Sequence, residues 1–120
     1  VDMTVDEIMD RINANPLLDG VTFSGGEPFC QAHELALLGK QIKSLGLNLT
    51  VYTGYTFEEL YLNREKNHWN ELLSVTDILI DGRFILKLKD WNIKFRGSSN
   101  QRYIDCQASL KEGRAVETEP

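Results

Sequence analysis

The residues best suited to chemistry in this sequence are Ser24-Gly25-Gly26-Glu27-Pro28, which follow the apolar run Val21-Thr22-Phe23. That run is β-branched and aromatic, and a helical pattern resumes only after Pro28. The stretch therefore reads as a buried strand, a tight Gly-Gly turn and the start of a helix. Gly25 and Gly26 lack Cβ atoms where the strand delivers the chain to the sheet edge, so backbone N–H and C=O groups there can press against a bound molecule. In α/β proteins ligands bind at the carboxyl ends of the strands, where this loop lies. An ionised Glu27 at that edge only accepts hydrogen bonds, which suits an amino group better than a phosphate. A phosphate-cradling loop would end in Lys-Ser or Lys-Thr, and neither is present. On its own residues the loop reads equally well as a Gly-Gly turn with a solvated Glu.

Two further strand ends carry candidates. Leu47-Asn48-Leu49-Thr50-Val51-Tyr52 reads as a strand, and Thr53-Gly54-Tyr55 turns the chain at its carboxyl end, giving a second ligand-facing edge. Ser74 to Gly82 reads as a third strand with its loop, and Asp81 closes it. An Asp there is placed to hydrogen-bond a ribose hydroxyl or an ammonium group, or equally to cap a turn. Later, Arg96-Gly97-Ser98-Ser99-Asn100-Gln101-Arg102 concentrates amide and guanidinium groups. Such a block can read a backbone or carboxylate on a partner or close over a ligand. Judged on residue types alone, it is a polar loop at the sheet edge.

The elements that must position these groups are legible from period and caps. Thr4 with Glu7 makes a capping box, and Val5, Ile8, Met9 and Ile12 repeat at helical spacing, predicting a helix over about 4–14 that Asn15-Pro16 ends. This makes the first 24 residues the α–β half of a βαβ unit whose first strand is absent. After Pro28, Leu35, Leu38, Ile42 and Leu45 share one helical face and Gly46 sits at the C-cap. His33 near its start reads as a surface residue, and Cys30 as a small packed hydrophobe rather than a reactive thiol. Thr56 with Glu59 repeats the capping box for a helix through about Leu62, and Trp69, Leu72 and Leu73 predict a short helix packing back on the core. From Arg83 the alternation of α and β fails. Phe84-Ile85-Leu86 and Trp91 are apolar anchors in a Lys-rich segment, Tyr103 to Cys106 reads as a last strand, and residues 108–120, above all 111–120, as a frayed tail.

A chain of 120 residues that is 42% hydrophobic and 26% charged supports one globular α/β domain over 1–120. It contains no run of 18 apolar residues, so no membrane span is expected. The net charge of −5 gives no footprint for nucleic acid, although Lys87, Lys89, Lys94, Arg96 and Arg102 make the later part locally basic. Cys30 and Cys106 are the only cysteines, far apart in sequence, which fits a reduced, cytoplasmic setting better than a disulfide framework. Two thiols are too few for a four-iron cluster. The recurring β–loop–α order predicts parallel strands with outer helices, as an open or partial β/α barrel, since a complete eight-fold barrel needs far more chain.

Ser24-Gly25-Gly26-Glu27-Pro28 after a strand resembles the corresponding motif of radical S-adenosylmethionine enzymes. Tyr52-Thr53-Gly54-Tyr55-Thr56-Phe57-Glu58-Glu59-Leu60, Asp77 to Phe84, and Phe95 to Asp105 follow in the order found in one branch, the activating proteins of anaerobic ribonucleoside-triphosphate reductase. The resemblance runs from about Val21 to about Leu110, and Arg96 to Arg102 is its most specific part. It implies a four-iron, four-sulfur cluster and S-adenosylmethionine as cofactors, with Gly25, Gly26 and Glu27 holding the methionine end and Thr53 and Asp81 serving the rest. Arg96, Asn100, Gln101 and Arg102 would contact partner or cofactor. It also implies the large reductase subunit as partner, with a glycyl radical generated on it, and a one-electron donor such as a flavodoxin. The family carries a Cys-x-x-x-Cys-x-x-Cys loop upstream of its Gly-Gly-Glu motif, and this sequence has none. The resemblance therefore leads to the expectation of a chain truncated at the N-terminus and inactive by itself. The alternatives from other classes are a cluster-free module docking on a glycyl-radical enzyme and a small nucleotide-binding α/β protein; the carboxylate of Glu27 opposes the latter.

Overall fold

Side chains alternate along the strands, and that alternation decides where the core lies. A computed structural model describes residues 20–23, 27–82 and 101–119. Within them, β1 (Gly20–Phe23), β2 (Asn48–Tyr52), β3 (Ile78–Asp81) and β4 (Arg102–Asp105) form one sheet in the order β1-β2-β3-β4. Register pairs Phe23 with Val51, Val51 with Leu79, and Leu79 with Ile104. These residues, with Leu49, are the buried side of the sheet and join the hydrophobic core.

The helices supply the other half of that core. A 3₁₀ turn over Pro28–Gln31 leads into α1 (Ala32–Ser44), which buries Ala32, Ala36, Leu38, Gly39 and Ile42. Leu45, expected on the same face, is the C-cap and is 46% exposed, because the helix has stopped winding before it can turn that side chain inward. Gly46 follows at φ 76°, the left-handed conformation that ends helices and favours glycine. α2 (Phe57–Leu62) opens on the expected Thr56 cap, the Glu59 N–H donating to Thr56 Oγ1 at 3.2 Å, while the Glu59 carboxylate reaches back to the Thr56 hydroxyl at 3.3 Å. α3 (Trp69–Val75) buries Trp69, Leu72 and Leu73.

The α/β class is as expected, and β1, β2 and β3 are parallel, joined through helices. β4 departs from the all-parallel expectation by running antiparallel to β3. A parallel neighbour needs a crossover, usually helical, to return the chain to the same end of the sheet. The sequence after Arg83 has lost the helical period, and the chain instead pairs back alongside β3. Among the described residues the sheet has four strands, and its end strands do not pair with each other.

Residues 108–119, expected as a frayed tail, are folded back. α4 (Cys106–Glu112) is capped by Asp105, whose Oδ1 accepts from the Ala108 N–H at 3.1 Å, and ends at Gly113 with φ 72°. The chain then returns along β4: the Asp105 N–H donates to Val116 O and the Thr118 N–H to Tyr103 O, both at 2.9 Å. The expected helix over 4–14, the Gly25-Gly26 turn and the segment from Arg83 to Asn100 lie outside the described residues.

α1 crosses the sheet closely at Gly39. A Cβ built there would lie 2.6 Å from Val75 Cγ2 and 3.1 Å from Leu49 Cδ2. Alanine would gain about 1 kcal/mol of helix propensity. Overpacking against a β-branched neighbour costs about 1–3 kcal/mol. Gly39→Ala is therefore expected to lower the stability measured by urea unfolding, and a stabilised variant would show that α1 moves freely away from α3.

Candidate functional site

Glu27 is the point where two strand ends meet. It is the N-cap of the 3₁₀ turn, and its Oε2 accepts from the Phe29 N–H at 3.0 Å. Pro28 fits the first position of the turn because it has no N–H to satisfy. Thr53 continues β2 by donating its N–H to Ile80 O at 3.0 Å, which fixes its side chain against the end of β1. Its hydroxyl contacts Glu27 Oε1 at 3.0 Å and Oε2 at 2.9 Å, and accepts from the Tyr55 N–H at 3.1 Å. The Gly54 N–H donates to Glu27 Oε1 at 2.7 Å. One carboxylate thus joins the loop after β1 to the loop after β2 through hydrogen bonds of the stronger, charge-assisted kind.

Aromatic side chains pack next to this link. Trp69 donates its indole N–H to Phe29 O at 3.0 Å, and its ring meets Phe29 edge-on at 6.0 Å and Tyr55 at 4.9 Å. The first residue of α3 thereby fixes the turn that presents Glu27.

A second polar cluster sits at the carboxyl end of β3. Asp81 is fully buried. Its Oδ2 accepts from the Phe57 N–H at 2.7 Å, capping the start of α2, and from Arg102 Nη2; its Oδ1 accepts from Arg102 Nε at 3.0 Å. Arg102 also donates Nη2 to Glu58 Oε1 at 2.6 Å and Nη1 to Glu58 Oε2 at 3.3 Å. Hydrogen bonds first to Asp81 and then to Glu58 hold the guanidinium in its charged form, with its pKa raised further. The Arg102 hydrogen bond lowers the Glu58 pKa, against a smaller opposing effect of burial. Gln101 is buried and donates Nε2 to Gly82 O at 3.1 Å.

The structure therefore brings Glu27 and Thr53 together in one cluster and Asp81, Gln101 and Arg102 together in another. The loop between β2 and α2 joins them, since Tyr55 O accepts from the Gly82 N–H at 2.9 Å. Gly25, Gly26, Arg96 and Asn100 lie outside the described residues. Sequence reasoning missed Glu58, the Gly54 and Phe29 amides and Trp69. For Glu58 the available signal was its place beside Glu59 in a capping box needing one acidic residue. For Trp69 it was an indole N–H that requires an acceptor once buried.

The chain's thiols do not match a four-iron cluster. Cys30 is exposed, whereas Cys106 is buried against Leu73 O. Its thiol is pushed up to about 12, first by burial and then by Asp105 and Asp77. Cluster ligands are thiolates, normally several of them. One exposed thiol and one buried protonated thiol on separate elements do not supply such a set.

The Glu58–Arg102 contact carries a pH signature. Because the folded pKa of Glu58 is depressed, its contribution is present above the ordinary value of 4.5 and is lost as pH falls through the folded value. Glu58 is 58% exposed, so the magnitude is that of a surface pair. Glu58→Gln is expected to destabilise by about 0.5–1 kcal/mol at neutral pH. Denaturant titrations should show this gap closing as pH falls below the ordinary value of 4.5, and a gap that stays constant into acid would assign the effect to packing instead.

Comparison with known proteins sets these clusters in context. Residues 2–104 match the family described as 4Fe-4S single cluster domain. The chain is 30% identical over 101 residues to the anaerobic ribonucleoside-triphosphate reductase-activating protein of Escherichia coli (strain K12), covering 80% of this chain and 62% of the relative. It is 32% identical over 106 residues to the protein of the same name from Haemophilus influenzae, covering 80% and 65%. It is 33% identical over 119 residues to a pyruvate formate-lyase-activating enzyme of Staphylococcus epidermidis, covering 92% and 45%. The chain thus spans less than two thirds of the length of these relatives. No solved structure matches significantly. By the extent of the family match, the chain belongs to the 4Fe-4S single cluster domain family.

Proposed function

We propose that the protein activates an anaerobic ribonucleoside-triphosphate reductase, and that this chain contributes the edge that holds the methionine end of S-adenosylmethionine. The observation that carries the reading is the Glu27 carboxylate, fixed between two strand ends by the amides of Phe29 and Gly54 and the hydroxyl of Thr53. A carboxylate offers about four acceptor sites. Thr53 contacts both oxygens but has one proton, so one of the sites it faces stays available to an ammonium group. The fit to the amino end of the cofactor rests on that remaining site.

Thr53 acts by positioning Glu27. Asp81, with three of its acceptor sites engaged by Phe57 and Arg102, acts by holding α2 and β4 in place. Gln101 and Arg102 serve the same frame, leaving Arg96 and Asn100 as the residues of that block proposed to contact partner or cofactor. Gly25 and Gly26 are proposed to let the backbone approach the methionine. The barrel reading, with further strands beside this sheet, belongs to the same proposal.

When bound, S-adenosylmethionine would supply one-electron, hydrogen-atom-abstracting chemistry toward a glycine of the large reductase subunit, with Glu27, Gly25 and Gly26 holding its methionine end. The residues around Glu27 bind and orient. The setting is proposed to be cytoplasmic, with a flavodoxin-type protein as the one-electron donor. The cysteines of this chain do not supply the reducing centre.

Glu27→Gln is expected to weaken S-adenosylmethionine binding by about tenfold or more, the loss of one charge-assisted contact. Calorimetry would read this directly, and unchanged affinity, or tighter binding of ATP than of S-adenosylmethionine by the parent protein, would overturn the reading. The 120 residues alone are expected to release no 5′-deoxyadenosine with a strong reductant, and chromatographic detection of that product would refute the assignment of the reducing centre elsewhere.

A further inference from the structure

His33 and His68 are the only histidines in the sequence, and the fold places them together on the surface. His33 lies in the first turn of α1, His68 immediately precedes α3, and Glu71 lies in the first turn of α3. His33 Nδ1 is 3.0 Å from Glu71 Oε2, and His68 Nδ1 is 3.4 Å from the same oxygen. The two rings are 4.6 Å apart, and one ligand atom from each of the three residues fits within 4.8 Å of the others. His68 and the preceding Asn67 hold φ of 62° and 54°, a left-handed corner that turns the chain so that His68 faces α1.

Two imidazoles hydrogen-bonding a single carboxylate would account for part of this arrangement. The spacing carries more. With bonds of about 2.0–2.1 Å to nitrogen and oxygen, the edge of a tetrahedron around zinc is about 3.3 Å. The two nitrogen–oxygen edges fall on either side of that value, while the nitrogen–nitrogen edge is set only to within 4.8 Å. Two histidine nitrogens and one carboxylate oxygen are a donor set that first-row divalent metals accept, with a fourth position left for water. We propose that His33, His68 and Glu71 form a binding site for a divalent transition metal of the zinc class, separate from the Glu27 edge and independent of the proposed function.

The site would have a mechanical consequence. It clamps the start of α1 to the corner that leads into α3, and the next residue, Trp69, donates to Phe29 O in the turn presenting Glu27. Metal at this position therefore braces the back of the Glu27 loop.

The test is an anaerobic titration of the full chain, stripped with chelator, using zinc against a chromophoric competitor and then cobalt as a spectroscopic substitute. One equivalent of zinc should bind, and cobalt should give the visible absorption of a tetrahedral nitrogen–oxygen set without thiolate bands. His33→Gln and His68→Asn should each weaken zinc binding by at least about tenfold. Asn is chosen at 68 because it tolerates the left-handed backbone. Cys30→Ser should leave the affinity unchanged. No stoichiometric binding, undiminished binding in the His33→Gln, His68→Asn double variant with native circular dichroism, or thiolate bands in the cobalt spectrum would each overturn the site.

Discussion

A single carboxylate ties the turn that leads into α1 to the loop that leaves β2. Parallel strands leave their carboxyl ends side by side, but nothing in a β ladder fixes the loops that leave them. Glu27 does so by accepting from its own turn through the Phe29 amide and from the loop after β2 through Thr53 and Gly54. The cost of drawing a carboxylate partly out of water is offset because its oxygens face donors rather than apolar surface. The loops at this edge hold a charged group in one orientation before any ligand arrives.

The same economy of acceptors runs through the rest of the sheet's ends. Asp81 caps α2 and fastens β4 through Arg102, while Asp77 accepts from the Leu49 amide at 2.8 Å and from Lys43 at 2.6 Å. Buried hydroxyls return to the backbone: Thr76 donates to Leu72 O and Ser109 to Asp105 O, each at 2.7 Å. Among the described residues no buried side-chain nitrogen or oxygen lacks a partner. Carboxylates near three strand ends fasten the neighbouring loops and helix start to the sheet, while an apolar layer fills the space between sheet and helices.

What the sequence made legible was local. Thr56 and Glu59 announce a helix start within four residues, and the alternation of Leu47 to Tyr52 announces a strand, because both signals depend only on neighbours in the chain. The Glu27 loop was legible for the same reason. Partners far apart were not. Asp81 and Arg102 face each other only because β4 pairs antiparallel with β3, and that register comes from tertiary pairing. His33 and Glu71 meet through the packing of α1 on α3, so His33 reads as an ordinary surface residue until both helices are in place. Residues 108–119 carry no strong period, and their return along β4 depends on main-chain groups that composition does not reveal.

That returning segment makes the two flanks of the sheet unequal. Ile104 bridges Glu117, so part of the outer rim of β4 is occupied by the chain's own backbone. A strand rim with unpaired amides and carbonyls is a template for recruiting another strand, and native proteins blunt such rims. On the β4 side this protein does so with its own C-terminal residues. Among the described residues β1 pairs on one side only, with β2. Within the described sheet, the flank closed by the chain's own C-terminal residues is thus the one opposite β1 and the Glu27 loop.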